Sequence, residues 1–185
     1  RAEGTIGAVG IGGTTVTELA RLCASGRFDV VLTAFNHSLL WREAVDELIP
    51  AARAQGMGVI AGSPLQGGAL ALRRDELLRD GAPWLNAPRR AQLLALGELC
   101  DQTGIDLPTM AMRWAFASPE IDVVLTGVRN QRELQANLAA LEAGPLPGEV
   151  ITALDEIAGR VPFRPTLEPF ILPFGDEPTR LGPLQ

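Results

Sequence analysis

Residues 29–62, DVVLTAFNHSLLWREAVDELIPAARAQGMGVIAG, decide the fold of this chain. The runs 29–35 and 56–62 at its two ends are almost continuously apolar, and each has the length of a buried strand. Between them, apolar residues recur every three to four positions from Trp41 to Ala54, which predicts an amphipathic helix. Nearly continuous apolar strands that are joined by a helix are typical of a parallel sheet.

The same alternation of strand and helix continues on both sides of this stretch. Upstream, the pattern predicts a strand over 5–11, ended by Gly12 and Gly13, and a helix over 16–24. Downstream, it predicts a connection over 63–87, helices over 88–103 and 108–117, a strand over 121–126, and helices over 130–141 and 148–158. Four strand–helix repeats leave two architectures open, a doubly wound sheet and part of a (β/α)8 barrel. No G-x-G-x-x-G sequence opens a helix, which weakens the doubly wound alternative.

The end of the chain differs from the rest in its proline content. Residues 161–185 contain six prolines, which exclude a helix or a central strand and predict an extended arm. The chain therefore divides into a β/α region, 1–160, and a C-terminal arm, 161–185. Four β/α units make half of an eight-stranded barrel, and such a half has two unpaired strand edges. We therefore expect a partner for this half, either an N-terminal half or a second chain.

Composition excludes several classes of function. The chain has 185 residues, 46% of them hydrophobic and 21% charged, as expected for one globular domain. A net charge of -6 with scattered arginines argues against a nucleic-acid surface, and no apolar run or leader pattern indicates a membrane or secretion. The distant cysteines Cys23 and Cys100 are typical of reduced, buried thiols in a cytoplasmic protein.

The missing residue types restrict the chemistry further. The sequence contains no tyrosine and no lysine, and it has a single histidine, His37. This excludes Schiff-base chemistry, pyridoxal-phosphate anchoring and a P-loop lysine. A mechanism that needs a phenol or an amine as proton donor cannot rest on this chain alone.

Three stretches together resemble the second half of an aldo-keto reductase. They are FDVVLTAFN at 28–36, GMGVIAGSPLQGG at 56–68 and VLTGVRNQRELQAN at 124–137. In order and spacing they are similar to the family's sixth strand, its seventh strand with the following loop, and its eighth strand with the helix that binds the cofactor. Within the family, the L-galactose, L-fucose and D-threo-aldose dehydrogenases are the most similar, because they also have a small residue before Ser-Pro-Leu.

The resemblance implies a fold and an activity. The fold is a (β/α)8 barrel whose strands 5–8 lie in residues 1–160, and whose arm, 161–185, closes over the substrate. The activity is hydride transfer between NAD(P) and a sugar or small carbonyl or alcohol substrate. The family's catalytic tyrosine, lysine, aspartate and histidine lie on the first half of the barrel, so this chain carries no catalytic residue. The resemblance therefore implies an enzyme only when an N-terminal half is supplied.

The resemblance also assigns cofactor contacts. Ser63, Leu65 and Gly67 align with the residues that hold the pyrophosphate, and Asn137 aligns with the one that holds the adenine edge. The positions that meet the 2′ region of the adenosine, at a helix start, are Gly127, Val128 and Arg129. A carboxylate at Glu133 would repel a 2′-phosphate, which favours NAD over NADP. The same Glu133 also predicts a capping box with Asn130.

Some positions depart from the family pattern, and two others are candidates for contacting the substrate. Gly12-Gly13, Leu32 and Gly62 replace the Ser-Asn, glutamine and aromatic residues that usually hold the nicotinamide. His37, in the loop after the sixth strand, is expected at the pocket rim near the substrate. Trp84, in the loop after the seventh strand, is a second substrate candidate, although a staple for that loop is equally compatible with its position.

An alternative from another class remains open. A non-catalytic nucleotide-binding or interaction protein could use the same scaffold, as the potassium-channel β subunits do. A third interpretation is a half barrel that pairs with itself. The discriminating feature is a Tyr, Lys, Asp and His set ahead of Arg1 or on a partner chain. No metal site is predicted.

Overall fold

The computed structural model describes residues 3–165, 168–169 and 171–174. Within them a parallel sheet has four strands, β1 (Gly10–Gly13), β2 (Val30–Ala34), β3 (Gly58–Gly62) and β4 (Val123–Leu125). The helices are α1 (Val16–Cys23), α2 (Leu48–Ala54), α3 (Asp75–Asp80), α4 (Ala87–Thr103), α5 (Leu107–Phe116), α6 (Gln131–Glu142) and α7 (Gly148–Gly159). A short 3-10 helix spans Gln66–Gly68.

The sheet follows the order of the chain, β1-β2-β3-β4, without a reversal. Leu32 of β2 lies between Gly12 of β1 and Ile60 of β3, and Ile60 in turn lies opposite Val123 of β4. A doubly wound sheet reverses its strand order at a switch point, whereas a barrel adds each strand on the same side. The described sheet is therefore compatible with part of a (β/α)8 barrel.

The described residues form two apolar cores. The first lies among α4, α5 and α7 and includes Leu96, Met110 and Leu154, none of them more than 1% exposed. The second lies between the sheet and helices α1 and α2, around Val31 and Val59. Successive strand residues point to opposite faces, so Leu32 and Ile60 face the other side of the sheet.

Five exposed apolar residues of the last strand and the helix after it make up what we call the open flank: Val123 and Leu125 of β4 and Leu134, Leu138 and Leu141 of α6. Their exposed fractions range from 45% to 54%. The three leucines follow each other at helical spacing and therefore share one face of α6. No described element covers this apolar surface.

Two predicted elements have different bounds in the structure. Helix α2 begins at Leu48 rather than at residue 41, because a longer helix would set Pro50 in its interior, where the ring clashes with a preceding carbonyl. Strand β1 covers Gly10–Gly13 rather than 5–11, because its partner β2 begins only at Val30, opposite Gly10. The predicted connection over 63–87 also contains α3 and the 3-10 helix, which are too short to show a periodicity.

The described residues between Val161 and Phe174 lie in neither helix nor strand. Leu172 is buried, and Glu168 forms an ion pair with Arg89 of α4 at 2.8 Å. The rest of the predicted arm lies outside the described residues. Within the described part of the chain, no helix combines the length and the apolar character that crossing a bilayer requires.

Candidate functional site

The predicted cofactor segments follow neighbouring strands at one edge of the sheet. Gly62 at the end of β3 lies beside Ala34 of β2 and Leu125 of β4. The loop that carries Ser63, Leu65 and Gly67 and the turn that carries Gly127, Val128 and Arg129 therefore leave the sheet at the same edge. In parallel α/β proteins, ligands bind at this carboxyl edge.

Backbone strain is concentrated at the same edge. Phe35 (φ 67°), Ser63 (φ 59°) and Gln66 (φ 51°) are non-glycine residues in the left-handed region, and each follows the end of β2 or β3. Such a conformation costs about 1–3 kcal/mol per residue and clusters at binding and catalytic sites. The strain therefore marks the ends of β2 and β3 as the best candidate for a functional site.

The loop after β3 is a compact turn. The amide of Gln66 donates to the carbonyl of Ser63 at 2.9 Å, and that of Gly68 donates to the carbonyl of Leu65 at 3.0 Å. Gly67 has φ 62°, and a Cβ atom there would come within 2.9 Å of Ile171 Cγ2. Gly67 thus allows both the left-handed turn and the close approach of the C-terminal segment.

Gln66 is a residue of this site that sequence reasoning missed. Its side chain is buried, and Nε2 donates to the carbonyl of Phe35 at 2.8 Å and to Ser38 Oγ at 2.7 Å. Both partners lie in the segment after β2, about 30 positions earlier in the chain. No sequence pattern distinguishes this glutamine from an exposed loop residue, because its burial depends on that distant segment.

The turn before α6 is organised around Glu133. Asn130 caps the helix by accepting from the Glu133 amide at 3.0 Å, as predicted. The Glu133 carboxylate accepts from the amide of Arg129, one residue earlier than in a standard capping box, and from its guanidinium at 2.7 Å. This guanidinium lowers the pKa of Glu133, so the carboxylate stays charged at neutral pH.

The remaining residues of the second segment differ in their exposure. Gly127 and Val128 are exposed, and Asn137 is half-buried two turns into α6. The Arg129 side chain is 89% exposed, although its guanidinium is engaged by Glu133. All of these residues remain predicted cofactor contacts, and they lie along one end of α6 and the turn before it.

His37 is buried in the structure rather than exposed at a rim. Its ring is 1% exposed and lies 4.8 Å from the Trp114 ring of α5. Burial lowers the pKa of His37 to about 4, and the effects of Glu120, which raises it, and of Arg42, which lowers it, are smaller. The loop after β2 packs under α5, which a sequence pattern cannot reveal, so a substrate role for His37 stays a prediction.

Trp84 is half-buried and contacts the C-terminal segment. Its ring lies edge-on to Phe174 at a centroid distance of 5.0 Å, and the Arg74 guanidinium lies 4.7 Å from the same phenyl ring. This contact fits the alternative of a staple for the loop, and the substrate role of Trp84 stays a prediction. In the described residues, no three potential metal-ligating side chains lie together.

A comparison with known proteins establishes the family. The model of the Aldo/keto reductase family matches residues 1–159. The chain belongs to the aldo/keto reductase family. This confirms the resemblance seen in the three sequence stretches, and the members of this family are oxidoreductases that use nicotinamide cofactors.

Individual relatives agree with this assignment. The chain is 33% identical over 135 residues to an uncharacterized oxidoreductase of Bacillus subtilis, covering 69% of this chain and 40% of that protein. It is 29% identical over 147 residues to D-threo-aldose 1-dehydrogenase of a Pseudomonas species, covering 77% and 44%. It is also 26% identical over 135 residues to L-galactose dehydrogenase of Arabidopsis thaliana, covering 71% and 41%. The chain thus spans less than half the length of these relatives.

Proposed function

We propose that this chain is the cofactor-binding second half of an NAD-dependent aldo-keto reductase that acts on a sugar or another small carbonyl or alcohol compound. In this proposal, residues 1–160 supply strands 5–8 of the barrel and residues 161–185 supply the arm. The observation that carries it is the strained turn after β3, where Ser63 and Gln66 adopt left-handed conformations in the loop to which the family resemblance assigns the pyrophosphate contacts.

The open flank supports a complementary half. Strands β1 and β4 are the two ends of the described sheet, and each has a partner on one side only. A second set of four parallel strands would pair with both edges and cover the apolar side chains of Val123, Leu125 and α6. Relatives more than twice as long as the matched region are compatible with a complement of this size.

The residues of this chain would bind and orient the cofactor. Ser63, Leu65 and Gly67 would hold its pyrophosphate, Arg129 would lie near the adenosine ribose, and Asn137 would hold the adenine. A bound nicotinamide cofactor would exchange a hydride with the carbonyl or alcohol carbon of the substrate. The family resemblance implies a tyrosine proton donor assisted by a lysine, and both would come from the complementary half because this chain contains neither residue.

A preference for NAD over NADP is supported by Glu133. Its carboxylate is charged at neutral pH and already neutralises Arg129, the cation of this turn. A 2′-phosphate near this turn would meet the Glu133 carboxylate, and the guanidinium of Arg129 is already engaged by that carboxylate. Dissociation constants for NADH and NADPH test this: we expect tighter NADH binding, a smaller difference in Glu133→Gln, and no change in the control Glu142→Gln. Tighter binding of NADPH to the wild type would contradict the preference.

Native mass spectrometry of the gently purified protein tests the proposal as a whole. We expect this 19.7 kDa chain within a heavier polypeptide, or together with a distinct second polypeptide, with a nicotinamide cofactor retained. A denaturing measurement on the same sample separates a covalent whole from a self-paired half. If only 19.7 kDa chains appear, the enzyme proposal fails in favour of the non-catalytic nucleotide-binding or interaction protein or of a self-paired half barrel.

A further inference from the structure

We propose that Gln66 is a positioning residue, which holds the loop after β3 in the shape that binds the cofactor pyrophosphate. The inference rests on the proposed function of that loop. Gln66 would not touch the cofactor itself, because its side chain points away from solvent and is only 1% exposed. It would act through its neighbours Ser63, Leu65 and Gly67.

The Gln66 side chain connects the loop after β3 to the segment after β2. Nε2 uses its two hydrogens on two acceptors, the carbonyl of Phe35 and the hydroxyl oxygen of Ser38. Ser38 Oγ also accepts from the amides of Leu40 and Trp41, at 3.2 and 3.3 Å. The Gln66 side chain therefore fastens the loop after β3 to a turn that is itself closed by hydrogen bonds.

These two hydrogen bonds support a stretch of strained backbone. Gln66 and Gly67 adopt φ values of 51° and 62°, one after the other. Glycine tolerates this region, but glutamine does so only where other interactions offset the strain. The two buried hydrogen bonds are such interactions, because unbonded amide hydrogens would leave buried donors without a partner.

The loop after β3 lies between Phe35 on one side and Ile171 of the C-terminal segment on the other. A Cβ atom on Gly67 would lie 3.6 Å from the Phe35 ring and 2.9 Å from Ile171, so the loop is packed from both sides at this point. Phe35 also contributes the carbonyl that Gln66 binds. Loss of the two Gln66 hydrogen bonds would therefore free the inner side of the loop that carries Ser63 and Leu65.

The test uses the protein as purified, together with any chain that accompanies it. Gln66→Met keeps the length of the side chain but removes both donors, and Gln66→Gly removes the side chain while tolerating the left-handed backbone. Gln102→Met, at an exposed position of α4, is the matched control. In Gln66→Met we expect faster amide hydrogen exchange in residues 63–70 and an NADH dissociation constant raised about tenfold. The control should match the wild type in both measurements.

The pH dependence of NADH affinity in Gln66→Glu distinguishes a positioning role from a merely structural one. An ionised carboxylate would face the Phe35 carbonyl without a donor, whereas the protonated acid can donate one hydrogen bond. Because burial raises the pKa of a carboxyl group, NADH affinity of this variant should recover partly between pH 8 and pH 6. Gln66→Met, which cannot titrate, should show no such recovery relative to the wild type.

Several results would overturn the inference. Unchanged exchange in residues 63–70 of Gln66→Met would show that the bonds do not hold the loop. Faster exchange with an unchanged dissociation constant would limit Gln66 to a structural role. Failure of the wild type to bind NADH would instead refute the proposed cofactor site, and the positioning role with it. If Gln66→Met does not fold, the same two measurements on Gln66→Gly decide.

Discussion

The core among α4, α5 and α7 and the open flank contain the same kind of side chain in opposite situations. Leu96 and Leu154 are at most 1% exposed, whereas Leu138 of α6 is 49% exposed and Leu125 of β4 is 54% exposed. All four are leucines on regular elements of one chain. The difference shows that burial here depends on which elements lie opposite a residue, and the flank has no described element opposite it.

Ion pairs show the same contrast. Arg89 and Glu168 form a pair between side chains that are both 0% exposed, and the Arg89 guanidinium lies 4.5 Å from the Trp41 ring. At the start of α6, by contrast, the Arg129 side chain is 89% exposed and that of its partner Glu133 is 30% exposed. A buried pair is costly to break because a lone charge remains, whereas an exposed pair is screened by water.

We expect the largest effect from breaking the buried ion pair between Arg89 and Glu168. Glu168→Gln removes the negative charge and leaves the Arg89 cation buried, which should cost about 3–5 kcal/mol of unfolding free energy. Urea denaturation measures the loss. The control is Asp155→Asn, whose carboxylate pairs with Arg42 near the surface and should change the midpoint little. Equal effects of the two variants would contradict the contrast between buried and exposed pairs.

Truncating one leucine in each region tests directly whether burial sets its contribution to stability. Leu96→Ala creates a cavity in the closed core and should lower the unfolding free energy by about 2–5 kcal/mol. Leu138→Ala on the open flank should change it by less than about 0.5 kcal/mol. Urea midpoints of both variants, measured side by side, check this. A large loss in Leu138→Ala would mean that another element or chain covers the flank in solution.

The next largest effect is a dependence of stability on pH that comes from His37, in the loop after β2. Burial holds the pKa of His37 at about 4 against 6.5 for the ordinary side chain. The unfolded chain therefore takes up the proton first, so stability falls as pH is lowered from 7 to 5, by about 2 kcal/mol from this group. His37→Phe keeps a ring against Trp114 and should flatten this part of the profile. An identical slope in both proteins would refute the assignment.

The smallest expected effect compares two helix caps. Asn86 caps α4 and Asn130 caps α6, and each side chain accepts a hydrogen bond from one backbone amide, at 2.9 and 3.0 Å. Either change to alanine should cost about 1 kcal/mol. Asn86→Ala should cost more, because the Asn86 amide also donates to Glu168 at 3.2 Å. Thermal unfolding midpoints decide, and a larger loss in Asn130→Ala would reverse the expected order.

Much of the fold could be predicted from local pattern. Strands β2, β3 and β4 lie inside the predicted apolar runs, and α4 to α7 agree with their predicted spans within about two residues. Helix α2 is shorter than predicted, because the apolar spacing begins at Trp41 and Ala44, which are buried in an irregular segment ahead of the helix. The bounds of β1 depended on where its partner strand begins.

The sequence by itself determined the order of strands and helices, the family and the segments expected to meet a cofactor. These follow from periodicity and motif spacing, which are properties of neighbouring residues. Only the tertiary structure decided that Glu168 pairs with Arg89, 79 positions away, and that Gln66 binds Ser38, 28 positions away. It also decided that His37 is buried under α5. Hydrogen bonds and burial between distant segments depend on how elements pack, and no local pattern encodes those partners.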